Sequence, residues 1–173
     1  MSVVLGDKQR FAAEVGEREG GLCRVDLWAG GKWLTCDDNM AFVGQFRRDV
    51  LDTVDRLRSG YGGPAPFDGL SPEDAHRRLR LRAEGEDETG AEFDLRGRVR
   101  ILDWGPTTDN VSAHLFHYGD RLVITLQFWR SELLVNHPHH AGEVFVVEIP
   151  TAEFIGILEA LVATLDEGEP GPG

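Results

Sequence analysis

The sequence predicts an α+β fold: a twisted antiparallel sheet of about six or seven strands with two main helices packed on one face. Short segments that alternate apolar and polar residues are joined by glycine-containing turns, which is typical of strands linked by hairpins. Two longer segments repeat apolar residues at three- and four-residue spacing, which is typical of amphipathic helices. The chain has 173 residues, 41% hydrophobic and 28% charged, which suits one globular domain with a buried core.

The N-terminal segment is predicted to consist of strands. A short strand is expected from Arg10 to Val15, and a turn follows at residues 16–21. Residues 24–28 and 32–35 then form a predicted hairpin. The turn between them contains a glycine pair, and glycine readily adopts the positive φ that tight hairpins require.

The first predicted helix follows the run Asp37-Asp38-Asn39, whose side chains offer oxygens for an N-cap and negative charge for the helix N-terminus. Ser59-Gly60 ends it. The apolar stripe of this helix consists of Phe42, Val43, Phe46, Val50, Val54 and Leu57.

Residues 60–90 are predicted to be a variable insertion that contains a loop, a short helix and an acidic turn. Ser71 followed by Pro72 marks the helix start, and the helix is expected to run to about Leu81. We assign residues 1–165 to a single domain, because neither half alone has enough patterned apolar surface. Residues 166–173 are expected to form a disordered tail.

The C-terminal half supplies the remaining strands. Residues 93–101 alternate strictly and are predicted to form a strand. Residues 111–118 and 121–129 form a predicted hairpin through Gly119-Asp120. Residues 143–149 form another predicted strand, which Pro150 ends. Thr151 is expected to cap the final helix. The second face of the sheet should be exposed and polar, and it should carry Arg96, Arg98, Arg100, Thr125, Gln127 and Trp129.

The charge distribution restricts the partners. The net charge is −12, and residues 103–173 carry eleven acidic side chains against two basic ones, Arg121 and Arg130. Such a chain repels nucleic acid and anionic membranes and is attracted to basic surfaces. The N-terminus lacks the features of a signal peptide and no apolar run approaches a membrane span, which favours a cytoplasmic location.

The sequence indicates no catalytic residue, metal site or cofactor. His114 and His117 are three residues apart on a strand, so they should point to opposite faces, and residues 137–140 resemble a solvated loop. No nucleophile elbow or phosphate-binding glycine motif is present. Cys23 and Cys36 are expected to be small, partly buried side chains, and a disulfide across neighbouring strands stays open.

A protein-binding surface is predicted in the C-terminal half, where alternation places Trp104 and Trp129 on or near the polar face. A large aromatic beside charges on an exposed sheet is a typical anchor for a partner. Packing of the tryptophans at the sheet edge is the alternative. The predicted partner-binding residues are Asp103, Trp104, Asp109, Trp129 and Glu132.

The start of the chain, Gly6 to Glu14 (GDKQRFAAE), is similar to the G-(D/N)-x-x-x-F-A-(I/A)-E start of the Imm42-type immunity proteins of bacterial polymorphic toxin systems. The hairpin sequence at residues 27–31 (LWAGG), the helix sequence at residues 46–51 (FRRDVL) and Trp104-Gly105-Pro106 also resemble that family. Residues 60–90 have no counterpart. The resemblance implies a protein that neutralises a toxin by binding it, and it assigns no catalytic residue.

The leading hypothesis is therefore a non-enzymatic immunity or interaction protein that binds a basic toxin. Two hypotheses from other classes stay open. One is a small enzyme or ligand-binding domain with His114 or His117 in a pocket between sheet and helices. The other is a structural subunit that uses the bare sheet face.

Overall fold

In the part of the chain that the structure describes, the fold contains two antiparallel sheets and three main helices. The computed structural model describes residues 1–35, 38–60, 64, 67–84, 97–130, 134 and 138–168, with residues 81–84 described at the level of the backbone. The strands and helices are β1 (Val3–Asp7), β2 (Phe11–Glu19), β3 (Leu22–Ala29), β4 (Lys32–Trp33), β5 (Met40–Phe42), α1 (Val43–Arg58), α2 (Pro72–Glu84), β6 (Val111–Tyr118), β7 (Arg121–Phe128), β8 (Val144–Pro150) and α3 (Thr151–Glu167).

The α+β class is confirmed, but the expectation of one sheet with six or seven strands is wrong. Strands β1, β2, β3 and β4 pair in that order, with β5 added beside β3, and they make a five-stranded sheet. Strands β6, β7 and β8 make a separate three-stranded sheet. The predicted strand at 93–101 does not join them in the described residues: residues 97–99 are helical and Arg100 makes an isolated bridge to His114. Residues 93–96, which include Arg96, lie outside the described residues.

The hairpins are those that the turn residues predict. Gly30 and Gly31 have φ values of 57° and 75° between β3 and β4, and Gly119 has a φ of 63° between β6 and β7. The inward residues of β7 also match the predicted alternation. They are Leu122, Ile124, Leu126 and Phe128, all buried in the main core.

The beginning of α1 differs from the prediction. The chain forms β5 at residues 40–42, so the helix starts at Val43, and Phe42 occupies the N-cap position without a side-chain capping hydrogen bond. Asn39 does not cap the helix, because its side-chain amide donates to Asp26 Oδ1 at 2.7 Å. The predicted stop is observed, since Ser59 is the C-cap.

The other helix starts follow local chemistry. Ser71 Oγ accepts a hydrogen bond from the backbone N–H of Asp74 at 3.2 Å, so the predicted cap of α2 is formed. The final helix begins at Thr151 but has no side-chain cap, and it extends to Glu167, past the predicted start of the tail at residue 166. Residues 169–173 lie outside the described residues.

The helices cover both sheets, and this changes the expected surface. Helices α1 and α3 pack on the inner face of the five-stranded sheet, and their buried residues belong to the main core. Helix α2 packs on the outer face of the three-stranded sheet, where Ala75 and Leu79 contact a small second core. The expectation of an exposed polar face on these strands is therefore wrong, because Thr125 is fully buried under α2.

In the described part of the chain, no helix has the length and apolar character needed to cross a membrane.

Candidate protein-binding surface

The outer face of the five-stranded sheet is the broad sheet surface that no helix covers in the described residues. We call it the open face. Its side chains alternate with those of the core: Cys23, Val25 and Leu27 point inward on β3, so Leu22, Arg24, Asp26 and Trp28 point outward. The strand register aligns them with neighbours on the other strands, including Val4, Glu14, Glu19, Trp33, Met40 and Phe42.

A hydrogen-bonded charge network occupies the centre of the open face. Asp26 accepts hydrogen bonds from Trp33 Nε1 at 2.9 Å and from Asn39 Nδ2 at 2.7 Å, and it lies 3.6 Å from Arg24 Nε. Glu14 pairs with Lys8 Nζ at 2.8 Å. Hydrogen bonds from Lys8 and Ser2 hold the pKa of the Glu14 carboxyl below its usual range. These charges are paired within the protein, so the network is a preorganised surface with little free charge.

Two tryptophans form one end of the open face. The rings of Trp28 and Trp33 stack with centroids 6.2 Å apart, and Lys8 Nζ lies 4.4 Å from the Trp28 ring centroid. Both tryptophans are only partly buried. A rigid aromatic pair beside satisfied polar groups has the composition of a protein-binding hot spot.

The other end of the open face is apolar. Phe42 is 60% exposed and Met40 is 37% exposed, although both lie on a strand of the sheet. In the strand register Phe42 is opposite Leu22, and Leu22 is opposite Glu19. Within the described residues, the Glu19 and Asp38 side chains make no ion pair or hydrogen bond. The apolar end thus has the unpaired Glu19 carboxylate beside it, and Asp38 lies two residues before Met40 in the sequence.

Trp104, one of the predicted site residues, is in the core. It is 1% exposed, its ring packs edge-on against Phe46, and its Nε1 donates to Thr53 Oγ1 at 2.9 Å. The expectation that Trp104 lies on or near an exposed polar face is therefore wrong. The physical reason is that residues 101–104 pack against α1 and do not extend a sheet.

The structure brings Asp109 and Trp129 together on the surface. Trp129 is 40% exposed, and its Nε1 donates to the backbone oxygen of Asp109 at 2.7 Å. The Arg130 guanidinium lies 3.7 Å from the Trp129 ring centroid. Glu132 lies outside the described residues, so its place beside this pair stays a prediction.

Asp103 is exposed and lies beside a small cleft of about 110 Å³ between α1 and the segment at residues 100–103. Asp49 and Asp52 also line this cleft, together with Arg56 and Arg100. Arg100 lies 3.4 Å from the Asp103 carboxylate. The lining therefore contains both signs of charge.

Arginines from the N-terminal part neutralise much of the acidity of the last helix. Arg10 pairs with Glu153 at 2.7 Å, Arg58 pairs with Glu159, and Arg47 pairs with Asp166. Most acidic side chains of α3 are consequently paired, so they do not form an acidic surface that is open to a partner.

Two of the histidines, His76 and His114, form a buried polar cluster. His114 and His117 point to opposite sides of β6, as predicted: His114 is buried and His117 is partly exposed. His76 of α2, which the sequence did not single out, is 0% exposed, and its Nδ1 lies 2.9 Å from Thr125 Oγ1 and 3.1 Å from His114 Nδ1. Burial lowers the pKa of His76 to about 4, and the nearby Arg80 charge acts in the same direction.

The described residues contain no group of three or more His, Cys, Asp or Glu side chains arranged to hold a metal ion. Cys23 is a free, buried thiol, and burial raises its pKa, which leaves it protonated and unreactive. Cys36 lies outside the described residues.

No protein family and no curated protein matches the sequence. The fold is similar to that of CdiI from Burkholderia dolosa AUO158. The two chains superpose with a TM-score of 0.62 and are 18% identical, and the match covers 94% of this chain and 99% of the CdiI chain. At this identity, the likeness to CdiI concerns the fold.

The sequence also contains a signal for the open face, whose tryptophans, Trp28 and Trp33, are not among the predicted site residues. On β3, Trp28 falls on the polar side of a strand whose other side is entirely apolar, and this pattern marks an outward tryptophan. Trp33 follows two positions after the turn glycines and is paired with Trp28 in the register. The alternation of β3 therefore indicates that Trp28 points outward, and the register in the structure adds Trp33 beside it.

Proposed function

We propose that this protein is a non-enzymatic immunity protein that binds and neutralises a toxin, within the Imm42-type group that its sequence resembles. The observation that carries the proposal is the fold likeness to CdiI, which is a contact-dependent inhibition immunity protein, over nearly the whole of both chains. The open face adds support, because it has the aromatic and polar composition of a protein-binding surface.

We propose further that the toxin is basic and that this protein acts in the cytoplasm. The net charge of −12 attracts a basic enzyme and accelerates its association by electrostatic steering. A toxin that acts on polyanions needs a basic active site, which suits such an inhibitor. We expect the exposed pair of Asp109 and Trp129, with Asp103 and Glu132, to be candidate contacts in addition to the open face.

The test starts from the gene next to the gene of this protein, which we expect to encode a large secreted protein whose C-terminal domain is the toxin. That domain should arrest growth when it is expressed in bacteria, and co-expression of this protein should restore growth. An unrelated immunity protein serves as the control. A metabolic gene in the neighbouring position, or soluble co-expression without rescue, would contradict the proposal.

The basic character of the toxin is tested separately by the salt dependence of binding. The Kd between the purified toxin domain and this protein should rise steeply between about 50 and 500 mM salt, because screening weakens interactions between exposed charges. Binding that does not change with salt would remove the electrostatic part of the proposal and leave neutralisation by binding intact.

A further inference from the structure

Phe42 has an identity that the fold does not require. It is 60% exposed, so it adds little to the core. It also occupies the N-cap position of α1, where Ser, Thr, Asp and Asn stabilise a helix by accepting a backbone hydrogen bond, and it makes no such bond. A polar residue at position 42 would suit both the solvent and the helix better.

The neighbours of Phe42 make one apolar patch with an acidic border. Leu22 is directly opposite Phe42 in the register, and Met40 points to the same side two residues earlier. Glu19 is opposite Leu22, and Asp38 precedes Met40 by two residues in the sequence. Arg24 is opposite Met40, but its guanidinium is paired with Asp26. Among the described residues, neither carboxylate has a partner that would neutralise it.

We propose that this β5 end of the open face, made by Leu22, Met40 and Phe42 with Glu19 and Asp38, is a contact surface for the toxin. The complementary surface has an apolar side chain at its centre and Lys or Arg around it, since the patch offers apolar area bordered by unpaired carboxylates. The inference rests on the proposed function and adds the surface that performs it.

The central test is Phe42→Ser, with Tyr118→Ser as the matched control. Tyr118 is 47% exposed at the end of β6 next to the Gly119 turn, so its replacement removes a similar exposed aromatic from the other sheet. For Phe42→Ser, the Kd for the neighbouring-gene toxin domain should rise by about tenfold or more, as it does when a hot-spot aromatic is truncated. Tyr118→Ser should change the Kd less than about twofold.

Thermal unfolding separates loss of binding from loss of fold. Phe42→Ser should leave the Tm unchanged or raise it, because serine can cap α1. Weak binding together with a large fall in Tm would overturn the inference, since the aromatic would then have a structural role. Wild-type affinity for Phe42→Ser, with growth rescue by the wild-type protein intact, would overturn the inference and leave the proposed function standing.

The acidic border is tested by removing two charges. Glu19→Gln combined with Asp38→Asn should slow association at low salt and flatten its salt dependence. The control is Asp120→Asn combined with Glu143→Gln, which removes the same charge from exposed positions of the other sheet. Equal slowing by both double variants would show that only the net charge matters, and this would contradict a local contact.

Two other occupants give distinct results. If a second copy of this chain covers the patch, the wild-type protein will be a dimer by light scattering and Phe42→Ser will be a monomer, which overturns the inference. If the wild-type protein neither binds nor neutralises the toxin domain, the proposed function fails and this inference fails with it.

Discussion

Acidification from pH 7.5 to pH 5 should destabilise this protein through His76. The imidazole is fully buried between α2 and β7, and burial lowers its pKa to about 4, whereas the pKa of an unfolded histidine is about 6.5. The folded state therefore requires the neutral ring, while the unfolded state accepts a proton as soon as the pH falls below 6.5. Stability from this group is fully present above pH 6.5 and is lost as the pH falls towards 4.

The size of the loss follows from the difference between the two pKa values. One pH unit corresponds to about 1.4 kcal/mol, so the full loss is about 3 kcal/mol, of which about 2 kcal/mol is reached by pH 5. This is a large share of the roughly 5–15 kcal/mol that stabilises a typical domain. The protonated ring is disfavoured because burial removes it from water and because the Arg80 charge is close.

The assay is urea unfolding of the wild type and of His76→Gln at pH 7.5, 6 and 5. Glutamine does not titrate, so the variant should lose about 2 kcal/mol less than the wild type over this interval, whatever its stability at pH 7.5. Stopping at pH 5 avoids most of the effect of Glu14, whose lowered pKa contributes at more acidic pH. Equal losses for both proteins would refute the assignment to His76.

Further predictions concern packing and backbone conformation. Trp104→Ala should lower the free energy of unfolding by about 3–5 kcal/mol in urea melts, because it removes a fully buried ring, whereas Trp129→Ala should cost about 1 kcal/mol or less. Gly6→Ala should lower the Tm more than Gly20→Ala does. Both glycines have positive φ, but an added Cβ at Gly6 would lie 2.4 Å from the Phe11 carbonyl oxygen, and at Gly20 it would meet nothing within 4 Å.

The local elements were predictable because their signals are local. The hairpin turns follow from the glycine pair at residues 30–31 and from Gly119, and the cap of α2 follows from Ser71. The stripe of α1 was also correct, except that Phe42 lies outside the helix and on the surface. A periodic pattern does not distinguish the last apolar residue of a strand from the first apolar residue of a helix.

The division into two sheets was not predictable in the same way. It depends on which strands pair, and this information is nonlocal: in the described residues the β6–β7–β8 sheet ends at β6, where Arg100 makes an isolated bridge to His114. The burial of Thr125 is a consequence of the same kind, because α2 covers it from a segment 49 residues earlier in the chain. Sequence alternation identifies the two faces of a strand but does not say what covers each face.

The position of α3 after both sheets in the sequence has a consequence for synthesis on the ribosome. The residues that close the core from α3, among them Phe154, Leu158 and Leu161, are fully buried and are made after the strands of both sheets. Until they emerge, the inner face of the five-stranded sheet lacks one of its two covering helices. The nascent chain therefore exposes apolar surface until α3 has emerged, and chaperone capture and proteolysis should compete with folding during that interval.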